Sequence, residues 1–275
     1  MNARTLRNVS WLSWIVVILG AIYFLAPLVG TFAYSLTALR DQLSFAAYER
    51  AFADSRFVQS FVYSNILAVA TIVVSILLIV PTTYWVHLYL PQLRPVVEAI
   101  SLLPFVIPAI VLVFGFIRVY SRPVELLSIP LVPPLLSTQL STNIVLVAGY
   151  TVLAMPYMYR AVDNGLRAID VRRLTEAAQS LGAGWGTILF RIILPNLRTA
   201  LLSGALLTFA VVVGELTFAT FLGTPAFGPY LQQLGQHKAY EPSALTIVSF
   251  LLTWLAMVLI NFVTRGDTRS AAGSH

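Results

Sequence analysis

Glu215 lies in the run Val213-Gly-Glu-Leu-Thr217, inside a long apolar stretch, and is the ionisable residue that most needs a reason to be there. A carboxylate at membrane depth is costly and usually faces a protein interior or a water-filled path. Glu215 and Thr217 are therefore candidates for lining such a path, with a carboxylate hydrogen-bonded to neighbouring helices as the structural alternative. Little else in the chain could do chemistry. There is no cysteine, which excludes thiolate and disulfide chemistry. His87 and His237 are far apart and have no neighbouring ligand types, so no metal site is expected. No His-Glu-x-x-His helix, no Gly-x-Ser-x-Gly elbow and no Gly-x-x-x-x-Gly-Lys-Ser/Thr phosphate loop occurs. Asn65 and Asn261 fit hydrogen bonding between helices. The expectation is a chain that performs no covalent catalysis and binds no cofactor of its own.

The second unusual stretch is polar and lies between two apolar ones. It reads Asp170-Val-Arg-Arg-Leu-Thr-Glu-Ala-Ala-Gln-Ser-Leu-Gly182 and continues to Ile192-Ile-Leu-Pro195. Leu174, Ala177, Ala178 and Leu181 fall at i, i+3, i+4 and i+7, one apolar stripe of a helix over about 171–181. Asp170 suits the N-cap, where a carboxylate accepts from orphan N–H groups. Gly182 suits the position after the C-cap, where φ is positive. Gly184 and Gly186 allow a turn, and 187–194 can form a second short helix that Pro195 ends or kinks. Helix, glycine turn, helix is the expected pattern, with a stripe that needs something to pack against.

The elements around these residues follow from composition. Of 275 residues, 58% are hydrophobic and only 10% charged, against about 25% charged in a soluble domain. The class is an all-α polytopic membrane protein, organised as a single transmembrane domain over 1–275. A span needs about 20 apolar residues. Six are predicted, over about 11–36, 57–85, 96–119, 143–159, 199–221 and 244–263. The first is read as an uncleaved span, because its apolar run exceeds the roughly 7–15 residues of a signal h-region. Phe45, Tyr48 and Phe52 recur at helical spacing beside charges, predicting a short helix, either lying at the interface or packed as a surface loop helix. Pro104 and Pro108 predict a kink in the third span, lining the path or simply packing. Pro130, Pro133 and Pro134 predict a loop over 122–142, and glycine, proline and glutamine predict another over 223–243. Trp11, Trp14, Trp85 and Trp254 lie near span ends, as anchoring aromatics do.

Six spans put both termini on one side. That side collects eleven of the Lys and Arg residues, Arg4 and Arg7 among them, and the other side six, Arg40 included. The positive-inside rule then places both termini and the polar 163–198 loop in the cytoplasm.

The polar stretch resembles the signature loop of the permease subunits of bacterial ABC importers. That family carries Glu-Ala-Ala, three residues, Gly, nine residues, Ile-x-Leu-Pro. Here the positions are Glu176-Ala177-Ala178, Gly182, and Ile192-x-Leu194-Pro195. The branch serving polyamines, iron(III), thiamine and phosphonates is the most similar, and the resemblance extends over roughly 57–265. It implies an inner-membrane importer subunit that moves a small polar solute inward by alternating access. It implies a separate ATPase dimer that binds ATP and Mg, a second permease, identical or related, and an extracytoplasmic solute-binding protein. Leu174, Glu176, Ala177, Ala178, Leu181, Gly182 and Ala183 would carry the coupling to the ATPase. Glu176 would pair with a basic group there or with Arg172 or Arg173 of its own helix. Leu174, Ala177, Ala178 and Leu181 would divide between the ATPase cleft and the permease's own helices. The alternative without the resemblance is a carrier or channel driven by an ion gradient.

Overall fold

A computed structural model describes residues 11–39, 42–126, 129–132 and 134–271. Arg4, Arg7, Arg40 and Pro133 lie outside the described residues. Thirteen α-helices and one two-stranded hairpin follow in order among the described residues. The chain divides into two compact units, Met1–Ser55 with Leu231–Leu255, and Arg56–Tyr230 with Ala256–His275.

The first unit contains α1 (Trp11–Ser35), α2 (Ala46–Ala53) and the opening half of α13 (Glu241–Ala271). No side chain in the apolar window of α1 is buried, although the helix is long and apolar enough to span a membrane. Its end is tied to α2: the Ser35 and Tyr48 hydroxyls lie 2.8 Å apart, and the Ser44 N–H donates to the Leu36 carbonyl. Glu241, at the N-terminus of α13, faces Lys238 at 3.6 Å and Arg50 at 4.0 Å. The short helix expected from Phe45, Tyr48 and Phe52 is α2.

The second unit holds the larger core and the candidate site. It runs from the body of α3 (Ser55–Tyr89) through a short 3-10 turn, Pro91–Leu93, to α4 (Arg94–Val106) and α5 (Ala109–Tyr120). A hairpin of β1 (Val124–Leu126) and β2 (Ile129–Val132) follows, then α6 (Gln139–Ala168). Next are α7 (Val171–Ser180), α8 (Trp185–Thr187), a π-helical segment Ile188–Ile193, α9 (Leu194–Asn196), α10 (Arg198–Val213), α11 (Thr217–Phe221) and the first turn of α12 (Phe227–His237), whose remainder from Leu231 belongs to the first unit.

Five of the sequence-based assignments are corrected here. The third span, expected over 96–119, is two helices bent by 102° at Ile107 and Pro108. The residue before a proline is pushed out of the helical region. Ile107 accordingly has φ −89° and ψ 120°. The fourth helix does not stop at Tyr159 but runs to Ala168, carrying Asp163 and Arg167 with it. The fifth, expected over 199–221, ends at Val213 and resumes as α11. The expected loop over 223–243 contains α12, which admits Pro229 because it stands in the first turn, where no intrahelical N–H bond is lost. The 122–142 segment was expected as a loop and carries the hairpin.

Two glycines set the approach of α6 to α10. A Cβ at Gly165 would lie 2.6 Å from the Ala200 Cβ, and one at Gly204 would lie 2.8 Å from the Met158 sulfur. Small residues at such contacts let helices approach closely where no aqueous hydrophobic effect drives them together. Around this seam α3 contributes Ile79, Val80 and Tyr84, α6 contributes Met158, Tyr159, Val162 and Leu166, and α7 contributes Val171 and Ala178.

Candidate functional site: the 170–197 helical loop

The α7 helix is bounded by its own sequence at both ends. The Asp170 carboxylate accepts from the Arg173 N–H at 3.2 Å, and its other oxygen faces the Arg173 guanidinium at 3.0 Å. At the far end Leu181 is the C-cap and Gly182 follows with φ +80°. The Ala183 N–H donates to the Ala178 carbonyl at 3.0 Å, and the Gly182 N–H donates to the Gln179 carbonyl at 2.9 Å. This pair of bonds is a Schellman motif, which satisfies carbonyls that a helix end otherwise leaves bare. It turns the chain sharply into Gly184 and α8.

The apolar stripe is divided rather than buried as one face. Val171, Thr175 and Ala178 are buried, and Leu174 and Ala183 are half-buried against the same cluster. Glu176, Ala177 and Gly182 are exposed, and Leu181 is 89% exposed. A leucine that bare at a helix end is an unfilled apolar contact. Glu176 takes one of its expected partners, Arg172 of its own helix at 3.7 Å. An exposed pair of this spacing contributes only about 0.3–0.5 kcal/mol, so Glu176 remains available to another cation.

The inner side of α7 is tied to α3. Thr175 donates its hydroxyl proton to the Val171 carbonyl at 2.7 Å, so the Tyr84 hydroxyl, 3.0 Å away, is the donor to Thr175. Both side chains are buried. Trp85 and Trp185 meet edge to face at 6.1 Å, which joins α3 to α8. Beyond α8 the backbone widens into the π-helical Ile188–Ile193, with the Leu194 N–H reaching back to the Leu189 carbonyl. The expected helix over 187–194 is thus a continuous helical run, but Pro195 does not end it. The chain bends by 77° past Asn196, at Leu197, before α10 begins.

One cluster beside this loop escapes sequence reasoning. Asp163 of α6 is buried; its Oδ1 lies 2.7 Å from His87 Nε2, and Arg94 donates to both carboxylate oxygens at 2.9 and 3.2 Å. Arg167 faces the second oxygen at 2.7 Å. His87 and Arg94 are 76 and 69 residues away in the chain, so only the Arg167 pair, at i+4, was visible locally. No group of metal-ligating residues occurs among the described residues.

Glu215 stands in the break between α10 and α11, not inside a helix. Its Oε1 accepts from the Thr217 and Phe218 N–H groups at 2.7 and 3.0 Å, and its Oε2 accepts from Ala219 at 3.3 Å. A carboxylate is favoured there because it meets both the orphan donors and the positive end of the helix dipole. The same turn is packed from α12: a Cβ on Gly228 would lie 2.5 Å from the Glu215 carbonyl oxygen. Glu215 and Thr217 are thus brought together by one cap. Pro104 and Pro108 belong to a different break; Pro104 is half-buried within α4 and Pro108 is exposed at the start of α5.

Residues 91–266 match the model of a family described as binding-protein-dependent transport system inner membrane component. Over 111 residues the chain is 26% identical to the methionine import system permease protein MetP of Bacillus subtilis, covering 40% of this chain and 50% of that one. Over 137 residues it is 29% identical to the spermidine/putrescine transport system permease protein PotB of Haemophilus influenzae, covering 48% and 47%. A probable molybdenum ABC transporter permease protein of Haloferax volcanii is 28% identical over 197 residues, covering 70% and 64%. The chain spans about half the length of the first two relatives. Among solved structures, a chain of a bacterial ABC transporter involved in the import of the acidic polysaccharide alginate aligns with a TM-score of 0.63 at 17% identity, over 97% of this chain and 98% of that one. A chain of an amino acid ABC transporter aligns at 0.53 and 13% identity, over 81% and 99%. These two likenesses show the fold.

Proposed function

This chain belongs to the family of binding-protein-dependent transport system inner membrane components, and from that premise we propose that it is the permease subunit of an ATP-driven importer. It crosses the cytoplasmic membrane several times and moves a small polar solute inward by alternating access. ATP and Mg are handled by a separate ATPase dimer, and the chain itself binds no cofactor and is not an enzyme. A second permease, identical or related, completes the path, and an extracytoplasmic binding protein delivers the solute. Both termini and the 170–197 loop face the cytoplasm, with 1–275 acting as one permease domain.

The observation that carries this reading is the two-sided character of α7. Its inner side is fixed to the spanning helices α3 and α6, while Glu176, Ala177 and, at its glycine-ended cap, Leu181 are exposed. An element held this way can pass a push to the helices behind it, which a two-position docked element requires. Leu174, Ala178 and Ala183 seat it, and Gly182 fixes its end. Family membership favours ATP drive over an ion gradient. The relatives are named for methionine, spermidine and putrescine, and molybdenum; the solute of this chain belongs to the same broad class of small polar species. Glu215 acts first as a helix cap, and a place for it, Thr217, Pro104 and Pro108 along the path is secondary.

The test is purification of the chain from its native membrane with its partners. Stoichiometric recovery of an ATP-binding subunit, and hydrolysis stimulated by a solute-loaded binding protein, are expected. Solute uptake that follows a proton or sodium gradient and ignores ATP depletion would overturn the reading.

A further inference from the structure

Two polar joints meet on the last turns of α3. Tyr84 and His87 are three positions apart and so share one helix face. Tyr84 holds Thr175 of α7, and His87 holds Asp163 of α6. Asp163 in turn holds Arg94, the first residue of α4, through both carboxylate oxygens. Along the backbone the same helices are joined through short breaks in the helix. Only Ile169 and Asp170, both in non-helical conformations, join α6 to α7. Leu90 and the 3-10 turn join α3 to α4. A cleft of about 630 Å³ lined by His87, Pro91, Arg167, Asp170 and Arg172 opens beside these links.

We propose that Asp163 is a positioning residue that clamps the adjoining ends of α3, α4 and α6 into one body. A displacement of α7, received through the Tyr84–Thr175 bond, then reaches α4 and its continuation α5. This rests on the reading of α7 as the docking element and adds the residues that transmit its motion. Apolar contacts alone allow packed helices to slide past one another. A buried carboxylate with charged hydrogen bonds of fixed direction resists sliding, because a shift of α3 or α4 leaves Asp163 only Arg167 of its own helix. The sequence supports both halves: Arg94 is placed at the first residue of α4, where its guanidinium reaches back past the turn, and Thr175 is the one hydroxyl on the buried side of α7.

The chain has no cysteine, so two introduced ones are the only labelling sites on it. Spin labels at Ser180→Cys, at the exposed end of α7, and Ser121→Cys, at the far end of α5, report whether the two move together. The whole complex is reconstituted with its ATP-binding and membrane partners and trapped with Mg-ATP and vanadate. In the parent, the label distance is expected to shift on the order of 5 Å. With Asp163→Asn the shift is expected to fall at least about threefold while the ATP-binding subunit still co-purifies and hydrolysis stays within about threefold. Asp163→Glu, which keeps the charge, is expected to recover most of the shift. Should Asp163→Asn fail to insert, Thr175→Val opens the other joint without burying a lone charge, and the same loss is expected. A parent-sized shift in either variant overturns the proposal, as does loss of hydrolysis in proportion to the shift. A parent complex that lacks an ATP-binding subunit fails the functional reading instead, and that outcome is seen before any variant is made.

Discussion

Replacing Gly182 isolates the contribution of one backbone conformation to docking. Its φ is +80°, and a Cβ built there meets nothing within 4 Å. Neighbour crowding therefore contributes nothing, and the whole penalty of Gly182→Ala arises in the residue's own backbone. For an L-residue the left-handed region costs about 1–2 kcal/mol. A β-branched side chain costs more, because its second γ atom meets its own carbonyl, whereas asparagine visits this region at low cost. If the ATP-binding subunit grips only the closed Schellman turn, apparent affinity falls with the fraction of chains in which the turn is closed. A penalty of about 1–2 kcal/mol then limits the loss to roughly fivefold to thirtyfold, since 1.4 kcal/mol is about tenfold.

Gly184 is the internal control. It has φ −75° and ψ 163°, extended backbone that any residue adopts, and a Cβ there also meets nothing within 4 Å. Gly184→Ala is expected to be silent. The assay is titration of the ATP-binding subunit against the permease in lipid nanodiscs, with binding strength expected in the order glycine, asparagine, alanine, valine at position 182. Parent affinity in Gly182→Val would refute the requirement for this turn. Equal losses at 182 and 184 would show that the loop responds to any added side chain, and the conformational reasoning would fail.

Leu181→Asp exposes no new surface, since the side chain is already 89% exposed; it is expected to leave insertion and thermal stability unchanged and to abolish co-purification of the ATP-binding subunit. Glu215→Ala removes the acceptor of three backbone N–H groups; thermal unfolding in detergent should show a loss of about 0.5–2 kcal/mol, the range for a lost N-cap, while Glu215→Gln retains part of it. Gly165→Val drives side-chain atoms into Ala200 and Leu197; overpacking of this kind costs about 1–3 kcal/mol, and a melting temperature equal to the parent's would show that α6 and α10 part easily.

What was legible in the sequence was local. Asp170, Gly182 and the residues between them contain the whole code for a capped helix, because a cap bonds within one turn and the bonds are made to the chain's own backbone. Which side of that helix faces inward was not local. Periodicity grouped Leu181 with Leu174, yet Thr175 is buried and Leu181 is bare. The inner side is chosen by Tyr84, 91 residues earlier, whose hydroxyl needs a partner away from water. Asp163 escapes for the same reason: a carboxylate between Arg160 and Arg167 reads as a solvated face until His87 and Arg94 are brought to it. The breaks were half legible. Pro108 announced an interruption, but the 102° turn depends on Ile107 taking an extended conformation. Gly228 and Pro229 suggested a loop, although the proline is harmless in a first turn and the glycine is what admits the Glu215 backbone. Glu215 falls inside the expected fifth span but in the break between α10 and α11. Once α10 stops at Val213, the carboxylate has three donors of its own, and its presence in an apolar stretch is explained by the end of a helix before any solute is invoked.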